Sequence, residues 1–260
     1  AGADLSWANL VGADLSGANL AGARLYKANL SDANLNGADL RRADCDWAQF
    51  VQARLIGAKL AEATFREANL EGADGRRADL SGARLDDARL HRVHLGQATL
   101  AGATIVGTVL DDATLDYADL RGATVRAELG DASLIKAELE GATLDGAHLA
   151  RARLFSANLT RASLREADLS GASLRQASLG RAQLQRANLS GADLTEANLT
   201  GADLSGADLR RAVLVETKLA GSSGGSRPSA RRCSTRSARR CARRAACPSC
   251  STSRSRPSVT

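Results

Sequence analysis

The 260-residue chain has no Met, only 3% aromatic residues and three His. Scarce aromatics fit an interior too narrow to hold many of them. No stretch is long and apolar enough to span a membrane, so no membrane association is expected. The start carries no signal peptide, so a cytoplasmic location is expected. The chain begins in mid-pattern and without Met, so an incomplete N-terminus is a further expectation. Nucleophile elbows, phosphate-binding glycine loops and Ser/His/Asp constellations are all missing. Neither a catalytic residue nor a cofactor is therefore expected, and the chain reads as a non-enzyme.

What fills the sequence is one five-residue unit. Counting the leucine as its centre, units run from Leu5 to Val125, resume at Leu129 and continue to Leu219, 44 in all. Leu holds 38 centres, and Ala stands two residues before the centre in 41. Between them Asp or Asn is common, giving Ala-(Asp/Asn)-Leu-x-x. A helix advances about 100° per residue, so a period of five would scatter the leucines around it. A plain strand alternates faces with period two, and five is odd, so successive leucines would face opposite ways. The pattern closes if each unit is a short extended piece followed by a corner. Ala and Leu then point inward, Asp/Asn points outward, and two corner residues reset the parity. Gly is frequent at the second corner residue, for instance Gly12, Gly17 and Gly22, as tight turns require. Stacked coils of this kind are stabilised by their neighbours, as in other repeat architectures.

Units such as Ala3-Asp4-Leu5-Ser6-Trp7 and Ala202-Asp203-Leu204-Ser205-Gly206 resemble the pentapeptide-repeat family, and the resemblance covers residues 1–219. It implies an all-β fold: a right-handed quadrilateral β-helix, a solenoid with four units per coil. Such a chain makes about eleven coils, roughly 50 Å long at the spacing of neighbouring strands. Some members of the family resemble duplex DNA in shape and charge and bind DNA gyrase, protecting it from quinolones. Two functions are thus open: a non-catalytic structural or protein-interaction rod, and the gyrase-binding DNA mimic that the resemblance implies.

Charge separates the two. The net charge of +6 arises wholly in residues 220–260, which hold ten of the 35 basic residues and none of the 29 acidic ones. Residues 1–219 carry 25 basic and 29 acidic side chains, interleaved along their length. A DNA mimic needs a strongly acidic surface and usually a C-terminal helical dimerisation segment, and neither is legible. A protein partner is favoured for the array, and nucleic acid is not.

Residues 220–260 form a second segment, opening on Gly221-Ser222-Ser223-Gly224-Gly225-Ser226, a flexible linker by composition. Beyond it Arg, Ser, Ala and Cys dominate, and disorder is expected because no core could form. A basic arm for nucleic acid is one reading of this tail. Out-of-frame translation of GC-rich repeat codons yields the same composition and is the preferred one. Cys247-Pro248-Ser249-Cys250 has C-x-x-C spacing, but no second pair and no tail His completes a zinc site.

Within the array Cys45 stands at a leucine position and reads as a small buried hydrophobe. His91 and His94 flank one corner, with Glu71, Asp74 and Asp111 one coil away. A shallow metal site there is weaker than the reading of solvated charges, so no metal is expected. His148 has no partner of interest. Trp7, Lys27 and Trp47 share one corner position at steps of 20 residues, with Tyr26 adjacent, so Lys27 should sit between two indoles. A cation–π stack of that kind is worth roughly 0.5–2 kcal/mol, and exposed aromatics can anchor a partner. These four are the candidate partner-binding residues.

Three structural expectations remain. Gly75 stands where Leu belongs and should leave a gap. Open coil ends should favour end-to-end or homodimeric association. Between Val125 and Leu129 the spacing is four, and a tightened corner should absorb the missing residue. The inward columns should then continue, with Leu110 below Leu129, Ala127 buried and Arg126 exposed.

Overall fold

The computed structural model describes residues 2–224, and the remainder of the tail, with Cys233, Cys241, Cys247 and Cys250, lies outside the described residues. Four parallel ladders run along the array, each linking residues 20 apart: Asp4–Arg24–Asp44, Asn9–Asn29–Gln49, Asp14–Asn34–Arg54 and Asn19–Asp39–Lys59. Four ladders mean four faces, with one unit on each face of every coil. Among the described residues no helix is long and apolar enough to cross a membrane.

The hydrogen bonding of one unit shows why this geometry holds. A backbone donor that is buried without a partner is costly, so all five N–H groups need an acceptor. Arg24 N donates to Ala3 O in the coil below (2.8 Å), and Leu5 N to Arg24 O in the coil above (2.7 Å). Trp7 N donates upward to Tyr26 O (2.9 Å), while Ala8 N closes the turn onto Leu5 O (3.0 Å). The fifth donor is Ser6 N, which the side-chain oxygen of Asp4 accepts at 3.0 Å. The Asp/Asn preference of the middle position is therefore an Asx turn repeated along the array.

Where the middle residue is not Asp or Asn, the acceptor can come from the coil below. Ile56 follows Arg54 and donates to Asn36 Oδ1 of the coil below (2.9 Å). Arg66, which follows Thr64, donates likewise to Asp46 Oδ1 (3.0 Å), and Arg165, which follows Ser163, to Asp145 Oδ1 (2.9 Å).

Inside, the alanine and leucine columns are buried from Leu20 to Leu209. Phe50 and Phe65 replace leucines and meet edge-to-face at 5.6 Å between centroids. Cys45 occupies the position directly below Phe65 in its column, so a small side chain offsets a large one. At the ends Leu5, Leu10, Leu15 and Leu214 are only partly buried. The coil geometry reaches Ser223, which bridges to Asp203, four residues beyond the last leucine centre.

The short step between Val125 and Leu129 is absorbed with the columns intact. Leu110 N donates to Glu128 O (2.7 Å), Ala127 and Leu129 are buried, and Arg126 is exposed. Stacked partners that straddle the junction are 19 apart, as in Thr114–Ser133. The corner itself differs from the expectation: it is opened, not tightened. Thr124–Glu128 forms a continuous strand, β2, paired in parallel with β1, Thr104–Val109. The reason is parity. Four is even, so in-out alternation carries from Val125 to Leu129 without a turn. The extra residue of the coil below is accommodated by a bulge between Val106 and Val109. There Thr108 takes an alanine position, fully buried, and its hydroxyl donates to Leu85 O at 2.7 Å.

The space at Gly75 is also not an open gap. Leu95 of the coil above reaches in, and a Cβ added to Gly75 would lie 2.9 Å from its Cδ2.

Candidate functional site

The corner backbone positions the four candidate residues. Trp7, Lys27 and Trp47 are second corner residues with φ of 64°, 56° and 63°. Their N–H groups donate to Tyr26 O (2.9 Å), Asp46 O (3.0 Å) and Arg66 O (2.9 Å) of the coils above. This ladder fixes three side chains in one column. Lys27 Nζ lies 4.6 Å from the Trp7 ring centroid, 5.6 Å from Trp47 and 5.3 Å from Tyr26. Trp7 and Tyr26 meet edge-to-face at 6.1 Å. The structure thus brings all four together, with Trp7 68% and Trp47 45% exposed. Beside Trp47 the buried Asp46 takes the Arg66 guanidinium, whose Nε donates to Oδ2 at 2.8 Å, so the corner that carries the aromatics is anchored by a paired charge.

The histidines behave differently from one another. No group of three or more His, Cys, Asp or Glu able to hold a metal occurs among the described residues. Two of the three acids around His91 and His94 have other partners. Asp74 accepts two bonds from Arg76 (2.8 and 2.6 Å), which hold its carboxyl below the usual carboxylate range. Asp111 accepts Gly130 N at 2.8 Å. His148, in contrast to the expectation, does have a partner: Glu128, one coil below in the same ladder, lies 2.7 Å from its Nδ1. Glu128 stands 20 residues earlier, and that spacing was the available signal. Cys45 is fully enclosed, and burial pushes its thiol well up, so it is a packing residue.

A second cation–aromatic pair went unread in the sequence. Lys136 Nζ lies 5.4 Å from the ring centroid of Tyr117, which is 55% exposed. The 19-residue step across the junction places one above the other, and a count by 20 misses it.

Beyond the geometry, a profile described as pentapeptide repeats matches successive stretches from residues 1–37 to 192–223. The chain belongs to the pentapeptide-repeat family. Pentapeptide-repeat proteins fold as right-handed quadrilateral β-helices, and the four ladders here are that architecture. Among solved structures the chain is similar to HetL, a pentapeptide repeat protein involved in heterocyst differentiation regulation from the cyanobacterium Nostoc sp. strain PCC 7120. The identity is 34%, over 83% of this chain and 90% of that one, with a TM-score of 0.37. It is also similar to QnrB1, a plasmid-mediated fluoroquinolone resistance protein, at 21% identity over 66% of this chain and 79% of that one, TM-score 0.35. A pentapeptide repeat protein of the Arabidopsis thaliana thylakoid lumen shares 35% identity over 35% of this chain and 65% of that one, TM-score 0.26. Among curated proteins no match is found.

Proposed function

We propose that this pentapeptide-repeat chain is a non-catalytic protein-interaction rod that docks a partner protein through the Trp7–Tyr26–Lys27–Trp47 corner. The observation that carries the reading is the pair of exposed indoles clamped on Lys27. Large aromatics held rigidly at the surface lose little conformational freedom on binding, and Trp and Tyr are enriched among residues that dominate interfaces. The charge pattern supports a protein over duplex mimicry. Cation stands over anion in the same corner column at Arg42–Glu62 (2.8 Å), Arg151–Asp131 (2.5 Å) and Arg186–Glu166 (3.1 Å). Such pairing on three of the four corners opposes the negative field that a DNA mimic needs.

The test uses the full chain and a Trp7→Ala/Trp47→Ala double variant, with Arg161→Ala on another corner as control. All three should give the same β-rich circular dichroism. A partner retained by wild type and control, and lost by the double variant, is the expected result. Partners retained equally by all three would refute the docking corner. Protection of gyrase supercoiling from a quinolone would replace this reading with the mimic.

A further inference from the structure

On the corner opposite the tryptophans the side-chain column is interrupted. First corner residues there run Ile56, Arg76, Gly96, Asp116, and Gly96 has no side chain to continue the ridge. Its two neighbours do not cover the space. Arg76 swings aside, with Nε and Nη2 donating to Asp74 (2.8 and 2.6 Å). Asp116 turns up the column, where its Oδ1 accepts Ile135 N (2.9 Å) and the Ser133 hydroxyl (2.5 Å). The result is an open notch of about 430 Å³ over Gly96, walled by Ile56 and Tyr117 and rimmed by Arg77.

The rim charges are not all neutralised by one another. Asp116, at the upper end, spends Oδ1 on the backbone and a hydroxyl and keeps Oδ2 open. Arg77 donates its Nε to the neutral Gln97 (2.9 Å) and forms none of the ion pairs among the described residues. Lys136 sits over Tyr117 and is likewise outside those pairs. Arg77, with only neutral Gln97 as its side-chain partner, therefore rims the hollow two coils below Asp116, on the same corner as the exposed Tyr117. An Arg fork selects carboxylates geometrically, and Tyr and Arg dominate protein-binding hot spots.

We infer that the Gly96 notch is a second docking site, which takes an acidic segment of a partner protein by seating an apolar side chain over Gly96 and an adjacent Asp or Glu on Arg77. The inference rests on the reading of the chain as a protein-interaction rod, and adds the chemistry of what is recognised. It also assigns Tyr117 a role as the upper wall.

The experiment titrates isotope-labelled full chain with twelve-residue Gly-Ser peptides carrying one Leu-Glu or Phe-Asp pair, followed by backbone amide NMR. Saturable shifts centred on Gly96, Gln97 and Tyr117 are expected. Affinity should fall at least about tenfold, or 1.4 kcal/mol, when the peptide acid becomes an amide, in Arg77→Gln, and in Gly96→Ile. Gly96→Ile fills the notch with a residue its own column already holds at Ile56. Gly96 has no positive φ, and only Asp116 O (3.7 Å) and Arg76 Cγ (4.0 Å) come near an added Cβ. The variant therefore keeps the fold. Absence of shifts, equal binding by Gly96→Ile, or equal shifts with sodium acetate alone would each overturn the inference, the last in favour of a small-anion site. The Trp7→Ala/Trp47→Ala variant should bind these peptides as wild type does. If the peptides fail while the tryptophan-dependent partner persists, only the notch falls. If the peptides bind and no tryptophan-dependent partner exists, the corner falls and the notch stands.

Discussion

At the residue scale, the second corner position imposes one backbone conformation on whatever residue occupies it. Gly17 has φ of 65° there, and Arg92, fifteen units further along, has φ of 55°. A Leu O···H–N Ala bond with positive φ at the third residue is the pattern of a type II turn, which favours glycine. An L residue in this region is strained by about 1–2 kcal/mol. Arg92→Gly should accordingly stabilise the protein by about 0.5–1 kcal/mol. Nothing lies within 4 Å of a Cβ added to Gly17, so Gly17→Ala should cost about 1 kcal/mol through the backbone alone. Urea unfolding of both variants checks the pair, and equal signs would refute the turn assignment. Gly75 is a different case, since it faces inward and has no positive φ. Gly75→Leu should raise the melting temperature as Leu95 returns to its own place in the column. The gain should stay below the roughly 2–5 kcal/mol of a full leucine deletion, because Leu95 already fills part of the space.

These residues also mark how far the sequence could be read. Parity and period put Leu25 and Ala23 inside and Trp7, Lys27 and Trp47 in one column, because both follow from counting alone. Arg92 carries no sign of its left-handed backbone: the corner imposes it, and glycine merely tolerates it better. The side chain of Leu95 leaning into Gly75, Arg76 swinging off the Gly96 notch and Asp116 turning up to Ile135 are rotamer choices. Rotamers depend on neighbours one coil away, and the unit pattern is silent about them. Glu128–His148 and Tyr117–Lys136 were legible in principle, the first by a step of 20 and the second only by allowing for the short step.

At the element scale, the junction shows that a solenoid tolerates a deletion when parity is respected. Losing two residues from a corner would leave an odd spacing between centres; losing one leaves an even spacing, which an extended strand spans. β2 alternates accordingly, with Val125 and Ala127 inward and Thr124, Arg126 and Glu128 outward. Arg126→Ala should change stability by no more than about 0.5 kcal/mol, as an exposed site without an ion pair. Ala127→Asp would bury a charge in the core and should cost at least about 3 kcal/mol. The comparison is read from unfolding midpoints at neutral pH. Similar losses in both variants would mean that the strand does not alternate as described, and that the corner survives in a tightened form.

At the scale of the whole molecule, the array holds many depressed carboxylates and so should be sensitive to acid. Asp39 has its pKa lowered to about 2, first by the hydrogen bonds from the Arg41 side chain; burial opposes them, and the Arg41 N–H adds a further lowering effect. Asp119 and Asp208 are lowered in the same way by Arg121 and Arg210, and Asp4 and Asp203 by Ser6 and Ser205. A carboxylate whose folded pKa lies below its unfolded value, about 3.9, binds protons more readily when unfolded. Its contribution is complete above the unfolded pKa and is lost as pH falls through the folded one. For Asp39 that window runs from about pH 4 down to about 2. The melting temperature should therefore be nearly level from pH 7 to pH 5 and fall steadily below pH 4. Net positive charge also accumulates in acid, since 35 basic residues remain when 29 carboxylates are neutralised, and its repulsion would lower the melting temperature without any local pairing. Salt separates the two causes. Repulsion is screened, whereas the Asx-turn bonds of Asp4 and Asp203 are direct contacts that salt weakens much less. A decline below pH 4 that persists in molar salt is the expected outcome. A melting temperature that stays level to pH 2 in high salt would mean that the repeated aspartates are only a charged coat and do not hold the corners.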